Sequence, residues 1–140
     1  MKKTLFLLLF IPTLSYSQIT YKDIISIHSE NTFKRAVIEN GYELVIKDNK
    51  QLIYDNINHT SVCGLSLRDN LFLFRFFNDG IKNYNSIVDD IKNNCTFLGI
   101  GEFEGNDYVC YSCSESKYKG DIGFTIFEGV GIIQLFPKEE

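Results

Sequence analysis

The chain contains no tryptophan, one methionine, two prolines and two histidines. With so little proline, few connections can be rigid. The aromatic content falls on twelve phenylalanines and eight tyrosines, which favour sheets. His28 and His59 belong to no HxH or HExxH arrangement, so no histidine-based metal motif is expected. There is no GxGxxG opening a helix after a strand, no P-loop and no GxSxG elbow. The sequence therefore lacks the signatures of dinucleotide binding, nucleotide hydrolysis and α/β-hydrolase chemistry, and no cofactor or metal is implied. Beyond residue 17 no apolar run approaches the roughly 20 residues that a membrane-spanning helix needs.

What the chain does have begins at its N-terminus. Met1-Lys2-Lys3 is basic, Thr4 to Leu14 is apolar, and Ser15 and Ser17 place small residues before Gln18. This pattern reads as a secretory signal peptide over residues 1–17. Its apolar core is too short to span a bilayer, and Pro12 interrupts it. The first cysteine is Cys63, so none sits at the expected cut to carry a lipid. Residues 18–140 are then expected as one domain, secreted or periplasmic, where thiols oxidise. Without Lys2 and Lys3 that domain keeps 12 basic and 18 acidic residues, a net charge of −6. This disfavours nucleic acid and anionic membrane surfaces as partners, and no membrane insertion is expected after cleavage.

Hydrophobic spacing gives the element order. Tyr21–Ile27 fits a helix or a strand. Phe33, Ala36 and Val37 recur at helical spacing, with Ser29 or Asn31 as N-cap and Asn40-Gly41 as stop, predicting a helix near Glu30–Asn40. Four strands follow: Tyr42–Lys47, Gln51–Asn56, Ser61–Leu67 and Leu71–Phe77. Tyr84, Ile87, Val88 and Ile91 form an i, i+3, i+4, i+7 stripe and predict a helix over Asn83–Asn94. Four more strands are expected at Thr96–Phe103, Asp107–Cys113, Gly120–Phe127 and Val130–Phe136, with turns at Glu104–Asn106 and Glu128-Gly129. The fold class is α+β: an antiparallel sheet with helices packed on one face.

The order helix-then-four-strands occurs twice, over residues 18–79 and 80–140. A gapless shift of 59 lays Cys63–Phe77 on Ile122–Phe136, matching Gly64 to Gly123 and Phe77 to Phe136. A shift of 54 lays Asn40 on Asn94 and Leu44 on Leu98. Generic alternation, with its period of two, produces similar overlays. A duplicated α-β4 unit is the sharper reading. In element order the chain resembles the tandem repeats of the β-lactamase-inhibitor-protein-like and PepSY-like secreted domains. That resemblance implies an extended sheet with helices on one side and an open, concave face that grips a partner. It carries no binding residue over, because no motif matches.

Cys63, Cys95, Cys110 and Cys113 are even in number in an exported chain, which favours disulfides among three possible pairings. Across a turn at Glu104–Asn106, Cys113 falls near Phe97, one step along the same face from Cys95, while Cys110 points to the other face. A small bulge would bring Cys95 and Cys113 within bonding range. Cys95–Cys113 is therefore expected, with Cys63–Cys110 as the remaining pair. Cys110-Tyr111-Ser112-Cys113 has CxxC spacing but lacks the helix N-terminus that activates a redox thiol, and no second ligand pair at zinc spacing accompanies it. Asp89-Asp90 reads as a solvated helix face, and Glu102 with Glu104 as acids flanking a turn.

In Leu71–Phe77, Phe72, Phe74 and Phe76 share one strand face, and Leu71, Leu73 and Phe77 share the other, interrupted by Arg75. This strand is either core or a partner-binding face; in the second case Phe72, Phe74, Arg75 and Phe76 are the contact residues, since aromatics and arginine anchor interfaces. The expected function is a secreted, non-enzymatic binding module, inhibitor-like, that engages an unidentified protein. Two alternatives stand beside it: a small secreted hydrolase with a site built around His28 or His59, and a structural component of the envelope.

Overall fold

In the computed structural model, residues 18–137 are described, and the leader-like segment lies outside them. Three helices form: α1 (Tyr21–Ser26), α2 (Glu30–Glu39) and α3 (Ile81–Asn94). The first resolves the ambiguity at Tyr21–Ile27. Thr20 and Asp23 form a capping box at its start, Thr20 Oγ1 accepting from the Asp23 N–H while the Asp23 carboxylate accepts from the Thr20 N–H. α2 begins in the same way at Ser29 and Thr32. Eight strands follow the expected order: β1 (Tyr42–Lys47), β2 (Gln51–Asn56), β3 (Ser61–Ser66), β4 (Leu71–Phe76), β5 (Thr96–Phe103), β6 (Asn106–Ser112), β7 (Gly120–Phe127) and β8 (Val130–Pro137).

All eight strands make one antiparallel sheet in the order β1-β2-β3-β4-β8-β7-β6-β5. Two four-strand meanders thus meet at β4 and β8, and β1 and β5 form the two edges. Each edge strand carries a bulge, between Leu44 and Ile46 and between Phe97 and Gly99. Such irregularities blunt an edge against further pairing.

The core lies between the sheet and the helices. Phe33 of α2 is fully buried and packs its ring on Tyr54, Phe72 and Phe74, with centroids 5.3–6.2 Å away. Tyr84 of α3 packs beside Phe76 and lies so close over Gly131 that a Cβ there would stand 2.5 Å from the ring. Its hydroxyl donates to the Thr125 carbonyl at 3.0 Å, which seats α3 on β7 and β8.

The gapless overlay of the two final hairpins survives only in part. It keeps the helix-facing residues together, because Cys63 and Leu65 match buried Ile122 and Phe124. The pairing differs: Cys63 lies opposite Phe74, but Ile122 lies opposite Leu135 rather than Ile133. The registers are offset by two residues, an even slip that conserves the face and breaks residue-for-residue equivalence.

Candidate functional site

The parity of β4 decides which surface is available. Phe72, Phe74 and Phe76 point toward the helices and are 0% exposed, so the expected aromatic contact surface is core and corrects that expectation. Arg75, on the alternate parity, is exposed on the opposite face, which none of the described helices covers. Leu73, Gln134, Gly123 and Cys110 share that open face across β4, β8, β7 and β6.

At one end of the open face a groove of about 660 Å³ runs from β4 to β5, within the range of small-ligand and peptide sites. Leu71, Phe103, Tyr108 and Phe136 give it apolar walls. Phe136 meets Phe103 and Tyr108 edge-on at 5.3 and 5.4 Å, so the three rings hold one another. The rings of Phe136 and Tyr108 settle onto the sheet because Gly123 stands beneath them: a Cβ there would come within 2.6 Å of the Phe136 ring and 3.3 Å of Tyr108. Asp69, Glu104 and Asp121 add acidic groups, Glu102 lies beside them on the helix-side parity of Ile100, and no lysine or arginine lines the groove among the described residues. Burial raises the Tyr108 phenol, Glu104 adds to the rise, and the Arg75 charge opposes it.

The cysteines split. Thr96 pairs with Ser112, which sets Cys95 opposite Cys113; the two form a disulfide with Cα atoms 4.5 Å apart. The bulge next to Phe97 supplies the shift of register that this pairing needs. Closing a loop of 18 residues contributes about 3 kcal/mol. The bridge fixes the end of α3 to β6, and the Tyr21 hydroxyl lies 3.4 Å from Cys95 Sγ.

The second expected bridge is absent: Cys63 and Cys110 are free thiols. Cys63 faces the helices and is fully buried, whereas Cys110 faces the groove. Between β3 and β6 lie three strands, so roughly 19 Å and the thickness of the sheet separate the two sulfurs. Burial pushes the Cys63 thiol well above its ordinary range. The Cys110 thiol is also raised, chiefly by burial and further by Asp121, although a backbone hydrogen bond from Gly101 opposes the shift. Neither is an activated nucleophile.

The two histidines lie apart, His28 just before α2 and His59 on the turn between β2 and β3. His28 Nδ1 reaches only Thr32 Oγ1, at 3.4 Å. His59 Nδ1 meets Asp55 Oδ2 at 2.5 Å, but its side chain is 79% exposed on a turn. The nearby Ser61 hydroxyl is engaged instead with Tyr42 in the core. His59 with Asp55 pairs an imidazole with an orienting carboxylate, and neither is hydrogen-bonded to a serine, threonine or cysteine among the described residues. No cluster of three potential metal ligands occurs among the described residues, and no described helix is long and apolar enough to cross a membrane.

The groove was not read from the sequence. Its walls come from Leu71 and from aromatics at the ends of β5, β6 and β8, far apart in the chain, and the rings rest on a glycine that looks like any strand glycine. No family model matches the chain, and neither the curated proteins nor the solved structures contain a significant relative.

Proposed function

We propose that the protein is a secreted, non-enzymatic binding module whose open sheet face receives a segment of a partner protein. The observation that carries this reading is the groove across β4–β8–β7–β6–β5: half-buried rings of Phe103 and Phe136 beside buried Tyr108, in a surface that none of the described helices covers. Interfaces draw their affinity from aromatic anchors of this kind. The leader pattern of residues 1–17 and the Cys95–Cys113 bridge support an oxidising, extracytoplasmic address. The likeness in element order to tandem inhibitory domains supports the same use of the sheet.

The test is differential capture. Immobilised protein is exposed to native periplasm and medium beside the Phe103→Asp/Leu71→Asp variant, and recovered proteins are quantified. A partner held by the unaltered chain and lost by the variant is expected. Recovery of nothing specific, or of partners indifferent to the substitution, sinks the proposal.

A second reading, an envelope component that assembles with copies of itself, is favoured by exposed Phe97, Ile100 and Ile126 on the helix side of β5–β7. Sedimentation over rising concentration decides it: a purely monomeric protein at high concentration removes this reading.

A further inference from the structure

The charge around the groove says more about its occupant than the rings do. Three carboxylates, Asp69, Glu104 and Asp121, come from the β3–β4 turn, the β5–β6 turn and the start of β7, while Glu102 on β5 has the helix-side parity of Ile100. Arg68 approaches Asp69 only at a long 3.9 Å, with both side chains largely in water. Arg75 stands on the same sheet face and acts on Tyr108. Glu104 and Asp121 make no ion pair among the described residues, so their field remains available to a ligand. An anionic segment would meet repulsion here. A neutral apolar one would fill the walls and leave the carboxylates without a counter-charge.

We propose that the groove takes an extended peptide segment carrying lysine or arginine, its aliphatic stem against Phe103 and Phe136 and its cation toward Glu104 and Asp121. This rests on the reading of the open face as a binding surface and names the chemical class of its occupant. Long basic side chains suit such a site because their methylene stems pack on apolar surface while the charged head stays at the rim. The aromatic faces add to the attraction for a cation. A peptide is favoured over a small cation because the hollow crosses five strands and holds several residues, not one charged group.

The free thiols supply the assay. Cys110 lines the groove, and Cys63 is 0% exposed and reports unfolding. Alkylation by iodoacetamide at mildly alkaline pH is followed by intact mass and peptide mapping. Three capped hexapeptides serve as probes: alternating lysine and leucine, alternating serine and leucine, and alternating glutamate and leucine. The lysine peptide is expected to protect Cys110 strongly, the serine peptide weakly and the glutamate peptide not at all, with Cys63 unmodified throughout. In the Glu104→Gln/Asp121→Asn variant, the lysine peptide weakens about five- to tenfold, the effect of two partly exposed charge pairs. In Asp89→Asn/Asp90→Asn, which removes the same charge from α3 on the other side of the sheet, its affinity is unchanged. Equal protection by the serine or glutamate peptide overturns the charge class and leaves the binding role standing. Equal loss in both variants also overturns it, because attraction to the overall negative charge would then suffice. Protection by none of the three overturns the charge class and the groove together.

Discussion

The two halves of the sheet carry their aromatic clusters on opposite faces. In β1–β4 the rings lie under the helices, where Phe33 gathers Tyr54, Phe72 and Phe74 into a dry core. In β5–β8 the cluster of Phe103, Tyr108 and Phe136 stands on the open face, and the helix side keeps a looser ladder of Phe97, Tyr111 and Phe124. The helices explain the difference. α2 roofs the first half, and α3 sits over the central strands β4 and β8, so the outer strands of the second half have no roof; Phe97 and Ile100 there are 57% and 64% exposed. The same alternation of large and small residues therefore makes a core in one half and an accessible surface in the other. What covers a strand, and not its composition, sets its role.

The sharpest way to break this comparison is truncation of one ring in each cluster. Phe72→Ala should lower the unfolding free energy by about 3–5 kcal/mol, because the cavity forms among fully buried side chains. Phe103→Ala should cost about 1 kcal/mol, since its site is open to water and can relax. Urea denaturation of both variants checks the pair. Equal losses would mean that the open-face cluster is a second core and not a binding wall.

Next in size is the disulfide, which only the second half possesses. Replacing Cys95 and Cys113 together by serine should cost about 3 kcal/mol. Hydrogen exchange should show the loosening first in β5 and β6, while β2 and β3 retain the protection of the global state. Uniform acceleration over both halves would show that the bridge constrains the whole sheet.

Two tyrosines link stability to pH at the seam between the halves. Tyr118 donates its hydroxyl to the Asn70 carbonyl at 3.0 Å and packs edge-on to Phe72; Tyr84 donates to Thr125. Burial raises both phenols to about 12 from the ordinary 10.0. Below pH 10 the protein holds this contribution in full. Above it the unfolded chain releases protons that the folded one keeps, so stability falls as pH rises from about 10 to about 12. Urea midpoints measured across that window should decline, and Tyr84→Phe/Tyr118→Phe should flatten the decline. An unchanged slope in the double variant would assign the effect to other groups.

Much of this was legible in the sequence. Both long helices, every strand and the Cys95–Cys113 bridge followed from periodicity, turn residues and strand parity, which are local properties. The orientation of β4 was harder. Alternation separates its two faces without saying which one meets helices, and that choice is made by the distant Phe33. One local signal pointed the right way: Arg75 shares its face with Leu71 and Leu73, and an unpaired arginine belongs in water. The Cys63–Cys110 pairing failed because counting thiols ignores sheet order, and the order β4-β8 at the centre depends on contacts between chain segments some 60 residues apart. The groove was hidden for the same reason.

The smallest expected effect sharpens the comparison at the helix starts. The helices of the first half begin with side-chain caps, Thr20 for α1 and Ser29 for α2, whereas α3 begins at Gly80 with none. Ser29→Ala should cost about 1 kcal/mol, the usual value of a lost cap. By residue preference alone Gly80→Ser would gain, although Gly80 is already αR and continues the 3-10 turn Asn78–Gly80, where a serine side chain is not placed to cap. Its surroundings reverse the sign: a Cβ on Gly80 would press into the Thr60 carbonyl, the acceptor that the Phe77 N–H uses at 2.8 Å to close the β3–β4 hairpin. The serine must then displace that backbone, and a loss of about 1 kcal/mol or more is expected in place of the gain. Thermal or urea unfolding of the two variants reads the result directly. If Gly80→Ser proves more stable than the parent, the uncapped start of α3 is a mere omission and not the consequence of packing it tightly on the seam.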